Sequence, residues 1–513
     1  MGDRASNSRP RPASWALLTA LVIAAAIFRL PPLLNAGALS SDAAVVGLQA
    51  RHILRGEWSW FLWGAGYQSS FDALVAAVVF AATGAGPRAL MVGPLVGYLL
   101  VLFFTFDILA RRLGPTKATI ATLAIALSPQ PINMVSVWPP RQWSVTFVFA
   151  AIWLTDRAAA GKGSAWKLAA GAFLAVISLY LDLFATQFLA GAAVFAISCA
   201  AAGKWEWRRT TRQIAPALAG ALAAALLVWL SHRSSLASGA VAAASLNNVR
   251  ENWPLLCTCL PFLLGYDVYV PGAGLYPDPW HAPPWYHAVQ IIGVIAFAVA
   301  VLLAGLLVLG RRVPRDVARL GMLGLLVTST SLAGFLVSGM PADVWSARYL
   351  APLVWVLPFT LAPLAWLLKP RRLALWMTPY LLIAAVGGWM AYGPFVHGPT
   401  PVLTQRGAAR EERDLASALR ARNVHCAAAQ YWLAYRLTFL FAEDPLVVPL
   451  DRAEDRYPPY RRAFEQASPV AYLFHPSEPR AKPEDYEQWL KTSGVPYEKF
   501  TVHDFTVLVV SKQ

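Results

Sequence analysis

Two aspartates thirty positions apart, Asp42 and Asp72, and two arginines far downstream, Arg141 and Arg348, are the side chains whose types could do chemistry together. A carboxylate beside a hydroxyl or amine takes or orients its proton, and a guanidinium is a rigid donor fork suited to phosphate. Asp42 lies in LSSDAAVVGLQARHILRGE, where Val45, Val46, Leu48, Ile53 and Leu54 give an apolar face and Arg51, His52, Arg55 and Glu57 a polar one. That pattern fits a helix lying at a membrane interface. Asp42 falls at or near its start, where a carboxylate also caps amide groups; capping and catalysis are compatible. Asp72 directly precedes another apolar helix and carries the same two readings. Arg141, in VWPPRQW, reads as a phosphate ligand or as an arginine snorkelling to the interface. Arg348, in WSARYLAPLVWV, lies at or just inside an apolar segment, where an unpaired guanidinium is costly and usually functional. Phosphate binding competes there with a salt bridge to Asp343.

Other polar residues are weaker candidates. His281 and His287, with Asp267 and Asp278, have a loose H-x5-H spacing that suggests a metal less than it suggests an aromatic-packed surface loop. His287 can contact phosphate where it enters a later apolar segment. Tyr67, Tyr266, Tyr269, His281 and Asp182 are candidates for the walls of a substrate cavity, and His52 reads as a polar-face residue. Asp107 and Asp156 sit near segment ends beside Arg111 and Arg157, which charge balance explains. Four cysteines, Cys199, Cys257, Cys259 and Cys426, form no disulfide scaffold or metal pattern; free buried thiols are the simpler reading, with pairing to Cys426 the alternative in an oxidising compartment. No P-loop, dinucleotide glycine motif, HExxH or nucleophile elbow stands in a suitable context. No cofactor is called for. A divalent metal is compatible with the chemistry, but no residue pattern indicates one.

The elements that must position these residues are set by composition. The chain has 513 residues, 57% hydrophobic and 14% charged, against about 25% charged in soluble domains. Its mean hydropathy is +0.48. Long apolar segments recur from residue 14 to 392 and predict a polytopic α-helical membrane protein with about eleven spans: 14–34, 87–110, 117–135, 142–156, 167–180, 183–202, 213–230, 289–310, 317–338, 346–367 and 373–392. The +15 charge is not a nucleic-acid signature, because Lys and Arg gather in short loops on one side. With residues 1–13 as a cytoplasmic tail, inner segments hold 20 basic residues and outer ones six, Arg51, Arg55, Arg141, Arg233, Arg250 and Arg348. Residues 14–392 then form a membrane domain with outward loops 35–86 and 231–288. Residues 393–513, richer in charge, alternate amphipathic helices with short apolar strands and predict a small outward α/β domain.

The stretch SSDAAVVGLQARHILRGEWSWFLWGAGYQSSFDALVAAVVF, the WPPR turn and ARYLAPL resemble bacterial integral-membrane glycosyltransferases of the C-type fold, the broad group of protein O-mannosyltransferases and lipid A aminoarabinose transferases. An acid ahead of a small-apolar helix, a Gly-x-x-Tyr segment and a second acid match Asp42, Gly64/Gly66–Tyr67 and Asp72. The resemblance covers residues 15–392. It implies that Asp42 is the essential acid and Asp72 its helper. It also implies transfer of a monosaccharide from a polyprenyl-phosphate donor, with inversion, to a protein, lipid or glycan acceptor outside the bacterial inner membrane. Arg348, helped by Arg141 or His287, would hold the phosphate. Ala43 stands where many relatives have Glu, and Asp72 where many have Glu, so sugar and acceptor stay open. A lipid or solute transporter is the rival reading, although discontinuous polar helices and inverted internal symmetry are not evident. A non-catalytic scaffold for envelope assembly is the third.

Overall fold

The computed structural model describes residues 12–34, 36–160, 165–200, 207–233, 244–267, 284–390 and 408–511. After α1 (Pro12–Phe28) and α2 (Leu30–Leu34) the chain forms α3 (Ser41–Leu54), a short hairpin of β1 (Phe61–Leu62) and β2 (Ala65–Ser69), and α4 (Phe71–Thr83). The bundle continues with α5 (Pro87–Leu113), α6 (Pro115–Ala126), α7 (Gln130–Val137), α8 (Gln142–Ala160), α9 (Ala165–Leu181) and α10 (Thr186–Ala200). Then come α11 (Trp207–Arg233), α12 (Asn248–Leu263), α13 (Pro284–Leu309) and α14 (Arg315–Val337). A 3-10 stretch, Val344–Leu350, leads into the short helices α15 (Pro352–Trp355), α16 (Leu357–Thr360) and α17 (Ala362–Leu367), followed by α18 (Pro370–Met390).

Eleven spans is too many. Among the described residues five helical stretches are long and apolar enough to cross a membrane: Pro87–Leu113, Leu183–Ala200, Ile214–His232, Ile291–Leu309 and Arg315–Val337. A sixth results if α6 and α7, bent by 86°, count as one. Ser14–Phe28, Phe71–Thr83 and Ala165–Leu181 are apolar but shorter. The expected span 346–367 fails for a covalent reason. Pro352, Pro358 and Pro363 each open a new short helix, because proline suits a first helical turn and breaks an interior one. The resulting segment is core rather than span wall, with Val354, Trp355, Val356 and Phe359 fully buried. The break between α6 and α7 falls at Ser128–Pro129, and the buried Arg29 serves it by donating to Ala126 O (2.5 Å) and Ser128 Oγ (2.6 Å). Backbone groups freed at such a break need partners within the protein.

Close helix packing rests on small residues, which allow backbones to approach where apolar side chains gain nothing over lipid. A Cβ at Gly220 of α11 would lie 1.9 Å from Ala169 O of α9, and one at Gly324 of α14 would lie 2.4 Å from Thr360 N. At one end of the bundle Asp107 pairs with Arg111 (2.9 Å) and Arg157 (2.8 Å), and Asp156 with Arg111 (2.6 Å) and Arg112. Those are the charge-balancing contacts expected of these acids.

Residues 408–511 contain α19 (Ala408–Arg420), β3 (Cys426–Ala429), α20 (Tyr431–Leu440), β4 (Leu446–Pro449), α21 (Pro458–Gln466), β5 (Val470–Phe474), α22 (Pro483–Thr492), β6 (Tyr497–Val502) and β7 (Phe505–Val510). The sheet order is β4-β3-β5-β7-β6, with β4, β3 and β5 parallel and β7 and β6 antiparallel. One face, with Ala427, Val447, Leu473 and Val507, packs with Leu415 and Leu419 of α19. The other, with Ala428, Val448 and Leu508, belongs to one core with Ala43–Val46 of α3, Ala73, Ala76 and Ala77 of α4, and Tyr435 and Phe439 of α20. This corrects the expectation for α3. It does not lie on a membrane; ten of its residues are buried, and a Cβ at Gly47 would come within 2.6 Å of the Phe439 ring. Among the described residues none of the four cysteines forms a disulfide, and Cys426 is buried in β3.

Candidate active site

Asp42 does not cap α3. Ser40 does, its Oγ accepting from Ala43 N (3.3 Å), which leaves the Asp42 carboxylate in the first turn, where the helix dipole favours negative charge. Its Oδ1 accepts a 2.6 Å hydrogen bond from the Tyr431 hydroxyl and lies 3.6 Å from Nη2 of Arg456. Oδ2 takes part in neither contact, and the side chain is 38% exposed. Tyr431 and Arg456 come from the carboxyl-terminal sheet domain. Arg456 Nε donates to the Tyr431 oxygen (3.1 Å) and Nη1 to Gly64 O (2.7 Å). Burial and then the nearby Asp42 raise the Tyr431 phenol well above its ordinary range, so it stays a donor. Burial works against charge on Arg456, but Tyr431 and Asp42 outweigh it and the pKa is raised. Gly64 has φ +64°, and a Cβ there would lie 2.4 Å from Arg456 Cδ, so the hairpin turn needs glycine both for its conformation and for this contact.

A second cluster stands on the bundle. Arg141, in the turn between α7 and α8, has φ 110°, a conformation rare for a residue with a Cβ. Its backbone amide favours the charged form of Asp72, and its Nε donates to Asp182 Oδ2 (3.1 Å). Gln68 of β2 donates to the same oxygen (2.6 Å), while Asp182 Oδ1 accepts from Phe184 N (2.8 Å). The Arg141 guanidinium also sits 4.9 Å from the Tyr349 ring centre, and that of Arg348 sits 5.0 Å from the same ring. Arg348 donates weakly to the Tyr349 hydroxyl (3.4 Å) and has no carboxylate within ion-pair distance among the described residues. The alternative partner, Asp343, instead caps the 3-10 stretch through Ser346 N. Asp72 is buried, with no hydrogen-bond partner for Oδ1. Burial, with Asp182 adding to it, pushes its carboxyl up to about 7.

Tyr67 of β2 links the clusters. Its phenol is raised by burial, lowered by Arg141 and Arg456, and raised by Asp42 and Asp182, so charges of both clusters act on it. Asp42, Tyr67, Asp72, Arg141, Asp182 and Arg348 therefore gather in two adjoining groups. Tyr266 does not join them: it is buried in packing, with its phenol oxygen where a Cβ on Gly293 would be. His287 lies in the first turn of α13; its side chain, and Tyr269, Asp278 and His281, lie outside the described residues. Among the described residues no group of three or more His, Cys, Asp or Glu could hold a metal ion.

His52 also departs from its reading as a polar-face residue. It is buried, with Nδ1 2.8 Å from Glu57 Oε2 and Nε2 3.1 Å from both Glu443 Oε2 and the Tyr460 hydroxyl. Arg456 and Tyr431 gave no sign in the sequence, since they stand 414 and 389 positions from Asp42. Gln68 and Tyr349 are neighbours of Tyr67 and Arg348 and could have been reached from them.

The architecture is a polytopic α-helical fold similar to the C-type glycosyltransferase fold. Over 98% of this chain and all of the other it is similar to ArnT from Cupriavidus metallidurans bound to undecaprenyl phosphate, with a TM-score of 0.59 at 13% identity. The apo state of that protein gives 0.57 at 13% identity over 96% and 99% of the two chains. The apo oligosaccharyltransferase of Archaeoglobus fulgidus gives 0.51 at 11% identity over 90% and 70%. No protein-family model and no curated protein sequence matches.

Proposed function

We propose that this chain transfers a monosaccharide from a polyprenyl-phosphate donor to an acceptor at the outer face of a bacterial inner membrane. The observation that carries the reading is the unequal use of charge. Arg141 is tied to Asp182 and Arg456 stands against Asp42, whereas Arg348 lacks a carboxylate partner among the described residues. An unpaired, half-buried guanidinium beside a tyrosine suits a lipid-linked phosphate. The fold similarity to a protein bound to undecaprenyl phosphate supports the same donor chemistry.

In this reading Arg348 holds the donor phosphate and stabilises the charge it gains as the glycosidic bond breaks. The leaving group is already an acidic phosphate, so no general acid is required. Asp42 Oδ2 takes the acceptor proton as the acceptor oxygen or nitrogen attacks the anomeric carbon from the face opposite the phosphate, with inversion. Asp72 is too buried to meet substrate; it acts as a positioning residue behind the Arg141 turn. A radiolabelled polyprenyl-phosphate sugar tests the assignment. Asp42→Asn should abolish transfer while donor binding persists, and Arg348→Ala should weaken donor binding at least tenfold. Unchanged turnover in Asp42→Asn would overturn the role of Asp42. Proteoliposome uptake that survives loss of Asp42 would favour a transporter.

A further inference from the structure

The carboxyl-terminal domain has a cleft of about 560 Å³ on the sheet face that carries Ala428 and Tyr472, between α21 and α22. That volume lies within the range of small-ligand sites. Ala428 forms its floor and leaves the space. Tyr472 stands at the centre of three other rings: Phe464 at 6.3 Å, Tyr486 at 5.6 Å and Trp489 at 6.4 Å between centroids. Trp489 is 51% exposed, so much of its indole faces water without serving the core. The Tyr472 and Tyr486 hydroxyls have no hydrogen-bond partner among the described residues, and neither does the carboxylate of Asp485, which also lines the cleft.

The charges at the rim select the ligand. Arg461 is fully engaged, with two 2.8 Å bonds to Asp455, and Arg452 pairs with Glu465 at 2.7 Å. An anion would have to break these pairs and would meet the unpaired Asp485. A cation would face the two arginines. A neutral polyol meets neither penalty: its C–H faces lie on the exposed indole, and its hydroxyls pair with the two phenols and the carboxylate.

The same chain segment reaches the Asp42 site. Leu450, Arg452 and Arg461 line the cleft, while Arg456, between them, extends to Asp42 and Gly64. Asp455 holds a cleft arginine and its neighbour holds the candidate catalytic acid. We propose that this cleft is a subsite for a neutral glycan, which makes the acceptor a glycan chain rather than a protein or a free lipid. The acceptor role rests on the sugar-transfer reading; glycan binding in the cleft does not.

The test uses full-length protein in nanodiscs, free of sugar detergents. Neutral oligosaccharides (chitotetraose, cellotetraose and a mannotetraose) are titrated by saturation-transfer NMR and by tryptophan fluorescence, with tetramethylammonium and a sulfated tetrasaccharide as charged controls. At least one neutral oligosaccharide should bind more tightly than either control. Trp489→Ala should weaken it tenfold or more, Trp489→Phe should largely restore it, and Asp42→Asn should leave it unchanged. Because Trp489 is exposed, its loss does not threaten the fold. Absence of neutral-glycan binding, tighter binding of a charged control, or equal binding by Trp489→Ala would overturn the subsite. Donor cleavage is measured in the same preparations. Cleavage that persists without glycan binding sinks the subsite alone; glycan binding with no donor cleavage sinks the sugar-transfer reading and leaves the cleft a glycan site.

Discussion

Replacing Glu443 by glutamine should loosen the carboxyl-terminal domain from α3 without touching the candidate site itself. Glu443 receives a bidentate pair from Arg55 (2.8 and 3.1 Å) and faces His52 Nε2 at 3.1 Å, with 12% of its side chain exposed. Burial opposes its charge, but His52 and Arg55 outweigh that and hold the carboxyl at about 2 instead of 4.5. At about 1.4 kcal/mol per tenfold change in the proton equilibrium, the anion is favoured by about 3 kcal/mol in the docked state. Glutamine forfeits most of it. The groups facing His52 are Glu57, Glu443, Tyr460 and the nearby Arg55. Burial lowers the imidazole pKa, yet the bonds to Glu443 and Glu57 raise it above 6.5 overall. The His52 contribution is therefore complete below 6.5 and lost as pH rises through its raised folded value, whereas that of Glu443 is complete above 4.5 and lost as pH falls through about 2. Hydrogen exchange of α3 and α20 amides, corrected for intrinsic rates, measures docking. Exchange should rise about 30- to 100-fold in Glu443→Gln at pH 6, and in the wild type it should rise from pH 6.5 to 9. A change below threefold at pH 6, or wild-type exchange that falls over that interval, would refute the reasoning.

The site was half legible in the sequence, and the division follows chain distance. Asp42, Tyr67 and Asp72 stood together because one short loop carries them, and Arg141, Asp182 and Arg348 stood out as charges beside apolar segments. Arg456 could not be found that way. In DRAEDRYPPY it is one of several charges in a soluble domain, and only the fold brings it to Gly64 and Asp42. The helix α3 was misread for a related reason. An apolar face looks the same whether it meets lipid or a protein surface, and here α4 and α20 cover it. The number of spans failed because hydropathy averages over breaks. Apart from Arg348 near its start, the stretch 346–367 is mainly apolar, but three prolines cut it into pieces that pack inside the bundle. Where no proline interrupts, as in α14, the expected span of 317–338 and the observed helix nearly coincide.

Two further substitutions probe the two clusters separately. Asp72→Asn should stabilise the protein more at pH 8 than at pH 5. A carboxyl raised from 3.8 to about 7 contributes stability that is lost as pH rises from the first value to the second, and asparagine brings no charge to bury. Thermal unfolding at both pH values checks it, and a lower melting temperature at pH 8 would contradict the burial argument. Gly64→Ala isolates the interdomain contact. The new Cβ would meet Arg456 Cδ at 2.4 Å and adopt a φ of +64°, so the turn is strained by about 1 kcal/mol or more and the arginine must shift. Because Arg456 Nη1 bonds the carbonyl of that glycine, the shift draws the guanidinium from Asp42. Loss of that contact frees the Asp42 carboxylate from the side chain that stands against it. Strain alone would lower stability and leave the transfer rate of the folded protein unchanged. The mechanism instead requires the rate per folded protein to fall in Gly64→Ala, and to fall as well in Arg456→Gln, which leaves the turn unstrained. A Gly64→Ala variant that is less stable but as active as the wild type would show that Arg456 does not position Asp42.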